Sequence, residues 1–157
     1  MAGSSARAQR PAIGGDPASY EHDPYSWSIR QASFLRESRF DELDIAHLAE
    51  EIESVGRSER NSLRAYLALV LQHMLTWDHQ PEKRTPSWAT SIRIHRLHAG
   101  RQLRDNPGLK GQLPQLLADA YDLAVIQATE ETGLPDESFP RTCRYTLDEV
   151  MARPHEV

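Results

Sequence analysis

The sequence LDIAHLAEEIESVGRSERNSLRAYLALVLQHMLTW occupies residues 43–77 and contains no proline. Its apolar residues recur every three or four positions, which is the spacing that places side chains on one side of an α-helix. The stripe begins with Ile45, Leu48, Ile52 and Val55. Further along, the stripe continues with Leu63, Tyr66, Leu67, Val70 and Met74 when the helix is counted at about 100° per residue.

This constant phase predicts one continuous amphipathic helix over 44–79, with Asp44 as its N-cap. Gly56 followed by Ser58 resembles a helix end and a new N-cap, so a break at Gly56 stays open as the alternative.

Proline and capping residues mark four further helices. They are a short helix from Asp23-Pro24, a helix from Thr85-Pro86 to Asn106-Pro107, a helix over 112–131 capped by Gly133, and a short helix opened by the capping-box residues Thr146 and Glu149. No segment alternates apolar and polar residues for long enough to predict a strand. The predicted fold class is therefore all-α, an up-and-down bundle of about four main helices with short flanking helices at both ends.

Length and composition favour a single domain behind a tail. The chain has 157 residues, close to the commonest size of one domain. Residues 1–18 are rich in Ala, Gly, Ser and Pro, which predicts a flexible tail, and residues 19–153 are expected to form the helical domain. No apolar run is long enough to span a membrane, and the first residues lack the apolar core of a signal peptide. The single Cys143 cannot form an internal disulfide, so we expect a cytoplasmic protein with an inert thiol.

Charge is distributed unevenly along the chain. Residues 41–60 contain seven acidic residues and two arginines, whereas residues 83–104 contain six basic residues and no acidic one. A basic helix over 86–104 is compatible with nucleic-acid binding, because phosphate neutralisation needs clustered Arg and Lys. The net charge of −5 gives no long-range attraction to nucleic acid, and we favour charge complementation inside the bundle.

Several polar residues fall on apolar helix faces. The phase of the long helix puts Glu59 and His73 on or beside its buried side, and the phase of the third helix does the same for His95 and Arg96. A buried carboxylate must be paired, hydrogen-bonded, protonated or metal-bound. We therefore predict a buried cluster that joins Glu59 or Glu51 to His73, His95 and Arg96, with a structural polar layer as the favoured interpretation.

Catalytic and metal motifs are absent from the sequence. Bundle carboxylate sites use Glu-x-x-His pairs, and the chain has none. His47 and Glu51 are four residues apart on one helix face, and together with His73 they are the weak candidates for metal ligands. Such spacings occur often by chance, and we expect neither a metal nor a cofactor. No nucleophile elbow or phosphate-binding glycine loop is present either.

Residues over about 20–150 resemble a bacterial family described as the domain of unknown function 29. The segments that carry the resemblance are Tyr20 with Asp23 and Trp27, then FDELDIAHLAEEIESVGRSE, HMLTW with Gln80-Pro81, SWATSIRIHR, NPGLK, Tyr121 with Ala124, ETGLP and FPRTCRYT. The resemblance implies an all-helical cytoplasmic bacterial protein without an established activity. It also implies a polar pattern at Glu50, Glu51, Glu59, His73, Trp77, Trp88 and Arg96. The chain departs from this pattern at His95, where Gln is expected, and at Thr76, where Lys is usual.

Three functions follow from these patterns. The favoured hypothesis is an interaction module that binds a protein partner or a second copy of itself, and the sequence leaves enzymatic activity open while favouring its absence. The first alternative is a ligand-binding or hydrolytic enzyme in which His73 is the acid or base, Glu51 or Glu59 orients it, and Arg96 holds an anionic group. The second alternative is nucleic-acid binding through helix 86–104, which the net negative charge of the chain disfavours, and we expect no membrane partner.

Overall fold

The computed structural model describes residues 16–156, and within them the structure is helical and contains no strand. Five α-helices follow one another: α1 Pro24–Arg36, α2 Ile45–His79, α3 Pro86–Asp105, α4 Leu113–Thr132 and α5 Leu147–Ala152. Short 3₁₀ turns lie at Phe40–Glu42, Pro81–Lys83, Pro107–Gln112 and Asp136–Ser138. The all-α prediction is confirmed, and four of the helices are long enough to pack as main elements.

The helix limits arise from the capping residues that the sequence indicated. The side chain of Asp23 accepts a hydrogen bond from the backbone N–H of Ser26 at the start of α1, and Thr85 does the same for Trp88 at the start of α3. Thr146 and Glu149 form a capping box at α5. Gly133 ends α4 at a φ of 70°, where glycine has no steric penalty.

Helix α2 runs through Gly56 without interruption, as the constant phase of its apolar stripe predicts. A Cβ added at Gly56 would meet no atom within 4 Å, so no close packing requires a glycine there. The alternative of a helix break at Gly56 is therefore wrong.

Contacts divide the chain into two compact units, Met1–Glu53 and Ser54–Val157. The second unit has a continuous hydrophobic core from α2, α3, α4 and α5. Its fully buried side chains include Leu63, Leu67, Leu71, Met74, Ile92, Leu116, Tyr121 and Val150. Small residues of α4, among them Ala120, Ala124 and Ala128, are also buried in this core.

The apolar stripe of α2 is buried only in part. Ile45, Ile52 and Val55 are 64%, 72% and 62% exposed, although they share the phase of the buried leucines further along. The expectation that they lie on a buried face is wrong. Periodicity shows which residues share one side of a helix, but another element must pack against that side to bury them.

The predicted domain limits, a tail over 1–18 and one domain over 19–153, stay a prediction. Residues 1–15 lie outside the described residues. Asp16 and Ala18 are described, and both contact Arg30, through an ion pair of 2.6 Å and a hydrogen bond of 2.8 Å from Nη2 to the Ala18 carbonyl. No helix in the described part of the chain is both long and apolar enough to cross a membrane.

Candidate functional site

In the first unit, His47 lies between two carboxylates. Its Nδ1 is 2.6 Å from Oδ2 of Asp44, and its Nε2 is 3.5 Å from Oε1 of Glu21. The hydrogen bond with Asp44 raises the pKa of His47, which favours the imidazolium form. A charged imidazolium has no lone pair to offer a metal. His47 is therefore better suited to pairing with these carboxylates as a cation than to binding a metal ion.

Asp44 also connects the start of α2 to α1. Its Oδ2 accepts a hydrogen bond of 3.2 Å from the Trp27 indole, and its backbone N–H donates to Oε1 of Gln31 at 2.8 Å. The ring of Tyr20 stacks on His47 with centroids 4.2 Å apart, and its hydroxyl donates to Glu51 at 2.6 Å. Sequence analysis predicted the Asp44 cap and did not predict this polar cluster, because the cluster depends on α1 packing beside the start of α2.

In the second unit, Glu59 connects α2 to the end of α3. Its carboxylate accepts hydrogen bonds from Nε2 of Gln102 and from Nδ2 of Asn106, the latter at 3.0 Å. The Gln102 amide also donates to the Glu59 backbone carbonyl at 3.1 Å. Hydrogen bonds from two amide side chains thus satisfy the Glu59 carboxylate, which the sequence pattern predicts on the buried face.

His73 and His95 stack with ring centroids 5.8 Å apart and an interplanar angle of 7°. The Nδ1 atoms of both rings are buried without a hydrogen-bond partner among the described residues. The nearest carboxylate to His73 is that of Glu131, at 4.0 Å, which also accepts a hydrogen bond from Gln72. Burial lowers the pKa of both histidines, so both rings are neutral near pH 7.

The guanidinium of Arg96 connects α3 to the end of α5 through hydrogen bonds. Its Nε, Nη1 and Nη2 donate to the backbone carbonyls of Val150, Arg153 and Glu149 at 2.6, 2.7 and 2.9 Å. A planar guanidinium suits this task because its donors diverge in a fixed geometry. Burial, and then the charge of Arg153, lower the pKa of Arg96.

The predicted cluster is therefore divided among separate contacts. His73 and His95 meet, whereas the carboxylate of Glu59 and the guanidinium of Arg96 have other partners. Glu59 and His73 are fourteen residues apart on one helix, which corresponds to roughly 21 Å along its axis. Glu51 belongs to the first unit and contacts Tyr20. Within the described residues, no group of three or more His, Cys, Asp or Glu side chains is placed to hold a metal.

A groove between α3 and α5, called here the α3–α5 groove, combines apolar and basic side chains. Its volume is about 580 Å³. The residues that line it are Arg93, Ile94, Arg96, Leu97, Gly100, Arg104, Met151 and Ala152. Ile94 and Leu97 are 46% and 55% exposed, so two large apolar side chains of α3 are left in contact with solvent.

The arginines on the outer side of α3 have no ionic partner. Arg93, Arg101 and Arg104 form no ion pair with any residue in the described range 16–156. Charge complementation inside the bundle, which the sequence favoured for the basic helix, is therefore wrong for these three residues. Lys and Arg side chains on an outer helix face point to solvent unless another element supplies a carboxylate.

A smaller cavity adjoins the groove and shares Arg93, Arg96 and Ala152 with it. We call it the arginine cavity; its volume is about 270 Å³. Its other residues are Ala89, Ile92, Arg153, Pro154, His155 and Glu156. Burial and the charges of Arg153 and Arg96 lower the pKa of His155 to about 4, so its ring is neutral near pH 7.

Arg153 differs from the other cavity arginines because a carboxylate compensates its charge. Its guanidinium pairs with Asp78, with an Nη2 to Oδ1 distance of 2.7 Å. The hydroxyl of Tyr145 donates to Oδ2 of the same aspartate at 2.8 Å. Sequence analysis gave no signal for the groove or the cavity, since both form where α5 and the residues after it pack against α3.

Comparison with known proteins identifies a family without identifying a function. The comparisons with curated proteins and with solved structures gave no match. The family model described as domain of unknown function DUF29 matches residues 19–155. Because the match covers nearly the whole sequence, the chain belongs to the family of the domain of unknown function DUF29.

Proposed function

We propose that this chain is a protein-interaction module whose α3–α5 groove binds an acidic amphipathic helix of a partner protein. The observation that supports the proposal most is that one groove combines exposed apolar side chains with arginines that form no ion pair to any described residue.

The apolar part of the groove suits a helix. Ile94 and Leu97 are three residues apart on α3 and therefore lie on one face, next to Met151 and Ala152 of α5. Apolar side chains at positions i, i+3 or i+4 of a partner helix would cover this surface, which is the usual way a helix occupies a groove. We expect micromolar affinity, because a short groove buries less area than a standard interface.

The charge of the groove favours an acidic partner. Arg93 and Arg104 both line it, and Arg101 lies on the same face of α3 four residues after Leu97. Glutamates that flank the apolar stripe of a partner helix would pair with these guanidinium groups, with bidentate geometry available to each. Such rim charges add specificity and speed association more than they add affinity.

The other functions considered from sequence have weaker support. Nucleic acid would use the same arginines, but a phosphate backbone offers nothing to cover Ile94 and Leu97. An enzyme based on His73 would need its acid or base within reach of a substrate, and the His73 side chain is only 14% exposed. The bacterial cytoplasm is the location we propose for the module, and the half-buried Cys143, whose pKa burial raises, is in keeping with a reducing compartment.

The test uses a fluorescent helical peptide built from heptads of Leu, Ala and Glu, with leucines on one face and glutamates on both sides of it. We expect saturable anisotropy with the wild-type chain and a loss of roughly tenfold or more in affinity for Leu97→Asp, which puts a carboxylate among the apolar contacts. The matched control is Ile126→Asp, an equally exposed position on α4 outside the groove.

Three outcomes would overturn the proposal. They are equal affinity for Leu97→Asp and Ile126→Asp, tighter binding of a labelled DNA or RNA duplex than of the peptide, and a concentration-dependent dimer in sedimentation that Leu97→Asp abolishes. Tighter binding of the duplex would indicate that the arginines of α3 bind nucleic acid. The third would make a second copy of the chain the occupant of the groove.

A further inference from the structure

We propose that the arginine cavity binds a carboxylate group of the helix that occupies the α3–α5 groove. This inference rests on the proposed function and specifies it, because it gives the partner helix one acidic side chain with a fixed position.

The cavity and the groove adjoin each other. Arg93, Arg96 and Ala152 line both of them. One side chain of a ligand in the groove can therefore reach into the cavity. The cavity volume of about 270 Å³ accommodates a carboxylate with the methylene groups that carry it, and is small for a drug-sized molecule. Ala89 and Ile92 supply apolar contacts for those methylenes.

Arg96 contributes a fixed positive charge to the cavity wall. Its three hydrogen bonds go to backbone carbonyls, and no carboxylate pairs with it in the described part of the chain. A guanidinium has five N–H donors, so two remain after these three bonds. Because hydrogen bonds to the end of α5 already order the Arg96 side chain, binding of an anion costs no further conformational entropy at this residue.

Arg93 is the exposed counterpart of Arg96. It lies one turn before Arg96 on α3, is exposed, and has no ion pair within residues 16–156. Arg153 is already compensated by Asp78, and the one acidic residue of the lining, Glu156, is exposed near the end of the described chain. The cavity therefore has two positive charges, those of Arg93 and Arg96, without a matched carboxylate.

His155 adds a neutral polar group beside these charges. Its Nε2 is 3.2 Å from Nη2 of Arg153, its ring stands edge-on to Trp77, and its Nδ1 is buried without a partner. An anion in the cavity would offset the charges of Arg96 and Arg153 that oppose protonation of this ring. Carboxylate binding should therefore move the titration of His155 upward, which gives a readout that does not depend on the peptide.

The first arm of the test uses acetate alone. Sodium acetate replaces sodium chloride at constant ionic strength, and the arginine Nε–H and histidine ring signals are followed by NMR. We expect saturable shifts at Arg93, Arg96 and His155 and a higher His155 pKa in acetate. Both should be lost in Arg93→Gln and retained in Arg144→Gln, which removes the same charge from an exposed residue outside the cavity and the groove.

The second arm uses the acidic peptide with each glutamate replaced by glutamine in turn. One replacement should cost roughly tenfold in affinity for the wild-type chain and almost nothing for Arg93→Gln, since the two changes remove the same contact. The Arg144→Gln chain should respond to that replacement as the wild type does.

The outcomes separate this inference from the proposed function. Acetate shifts that are equal in wild type and Arg93→Gln would overturn the carboxylate site, even if the peptide binds in the groove. Equal costs for every glutamate replacement in both chains would overturn it too. Saturable acetate binding by a chain that binds no peptide would overturn the proposed function and leave a site for free carboxylates.

Discussion

Single residues in this protein have partners that their position on a helix does not reveal. Arg96 lies at the edge of the apolar face of α3, and its guanidinium binds three carbonyls at the end of α5. Glu59 lies on the buried side of α2 and is compensated by the amides of Gln102 and Asn106. Both residues were candidates for a catalytic cluster, and both connect helices instead.

Replacing Arg96 by lysine tests this connection. A lysine keeps the charge, but one ammonium group cannot reach three carbonyls that surround a planar guanidinium. We expect Arg96→Lys to lower the free energy of unfolding by about 1.5–3 kcal/mol, the range for hydrogen bonds with a charged partner. Urea denaturation followed by tryptophan fluorescence measures it, with Arg93→Lys on the same helix as control. Equal stability of the two variants would contradict the role assigned to Arg96.

Helices in this chain begin and end where local chemistry requires. Asp23, Thr85 and Thr146 cap three helices through their side chains, and Gly133 ends α4 in the left-handed region. Gly56 is the exception, since it carries no such constraint inside the 35-residue helix α2. Its backbone is helical and a methyl group would meet no neighbour within 4 Å.

Two glycine substitutions should therefore have opposite effects. Gly56→Ala should raise the free energy of unfolding by about 0.5–1 kcal/mol, because alanine loses less backbone entropy in a helix. Gly133→Ala should lower it by about 1 kcal/mol, because φ is 70° there. Thermal unfolding followed by circular dichroism compares them. A destabilising Gly56→Ala would indicate that α2 is not helical at this position.

At the scale of the whole molecule, three partly buried histidines make stability depend on pH. Burial lowers the pKa of His73, His95 and His155 in the folded chain, His155 to about 4. In the unfolded chain these rings titrate near pH 6.5. Below that pH the unfolded state binds more protons than the folded state, so acid favours unfolding. The stabilising contribution of His155 is complete above pH 6.5 and declines as the pH falls toward about 4.

Replacing His155 by glutamine should make stability less dependent on pH. We expect the difference in urea midpoint between pH 7 and pH 5 to shrink in His155→Gln, because a group that protonates mainly in the unfolded state has been removed. The size of the effect is limited because the side chain is only partly buried. His22→Gln, an exposed substitution in the first unit, is the control. An unchanged or larger difference in His155→Gln would show that its folded-state pKa is not depressed.

Sequence reasoning was most accurate where interactions are local. The limits of α1 and α3, the continuity of α2 through Gly56, and the capping box at α5 depend on residues within a few positions of one another. The sequence also indicated that Glu59 and His73 need partners. It did not identify those partners, since Gln102 and Glu131 approach them only after α3 and α4 pack against α2.

The sequence by itself determined the helical class, the positions of the helices and the family. Periodicity, caps and shared motifs depend only on residues that are close together in the sequence. Tertiary structure alone decided that Ile45, Ile52 and Val55 of the α2 stripe are exposed. It also decided that Arg93, Arg101 and Arg104 have no ion pair within residues 16–156. It also brought α5 against α3, which creates the groove and the arginine cavity. The physical reason is that burial and charge pairing are properties of two surfaces in contact, and one helix encodes only its own surface.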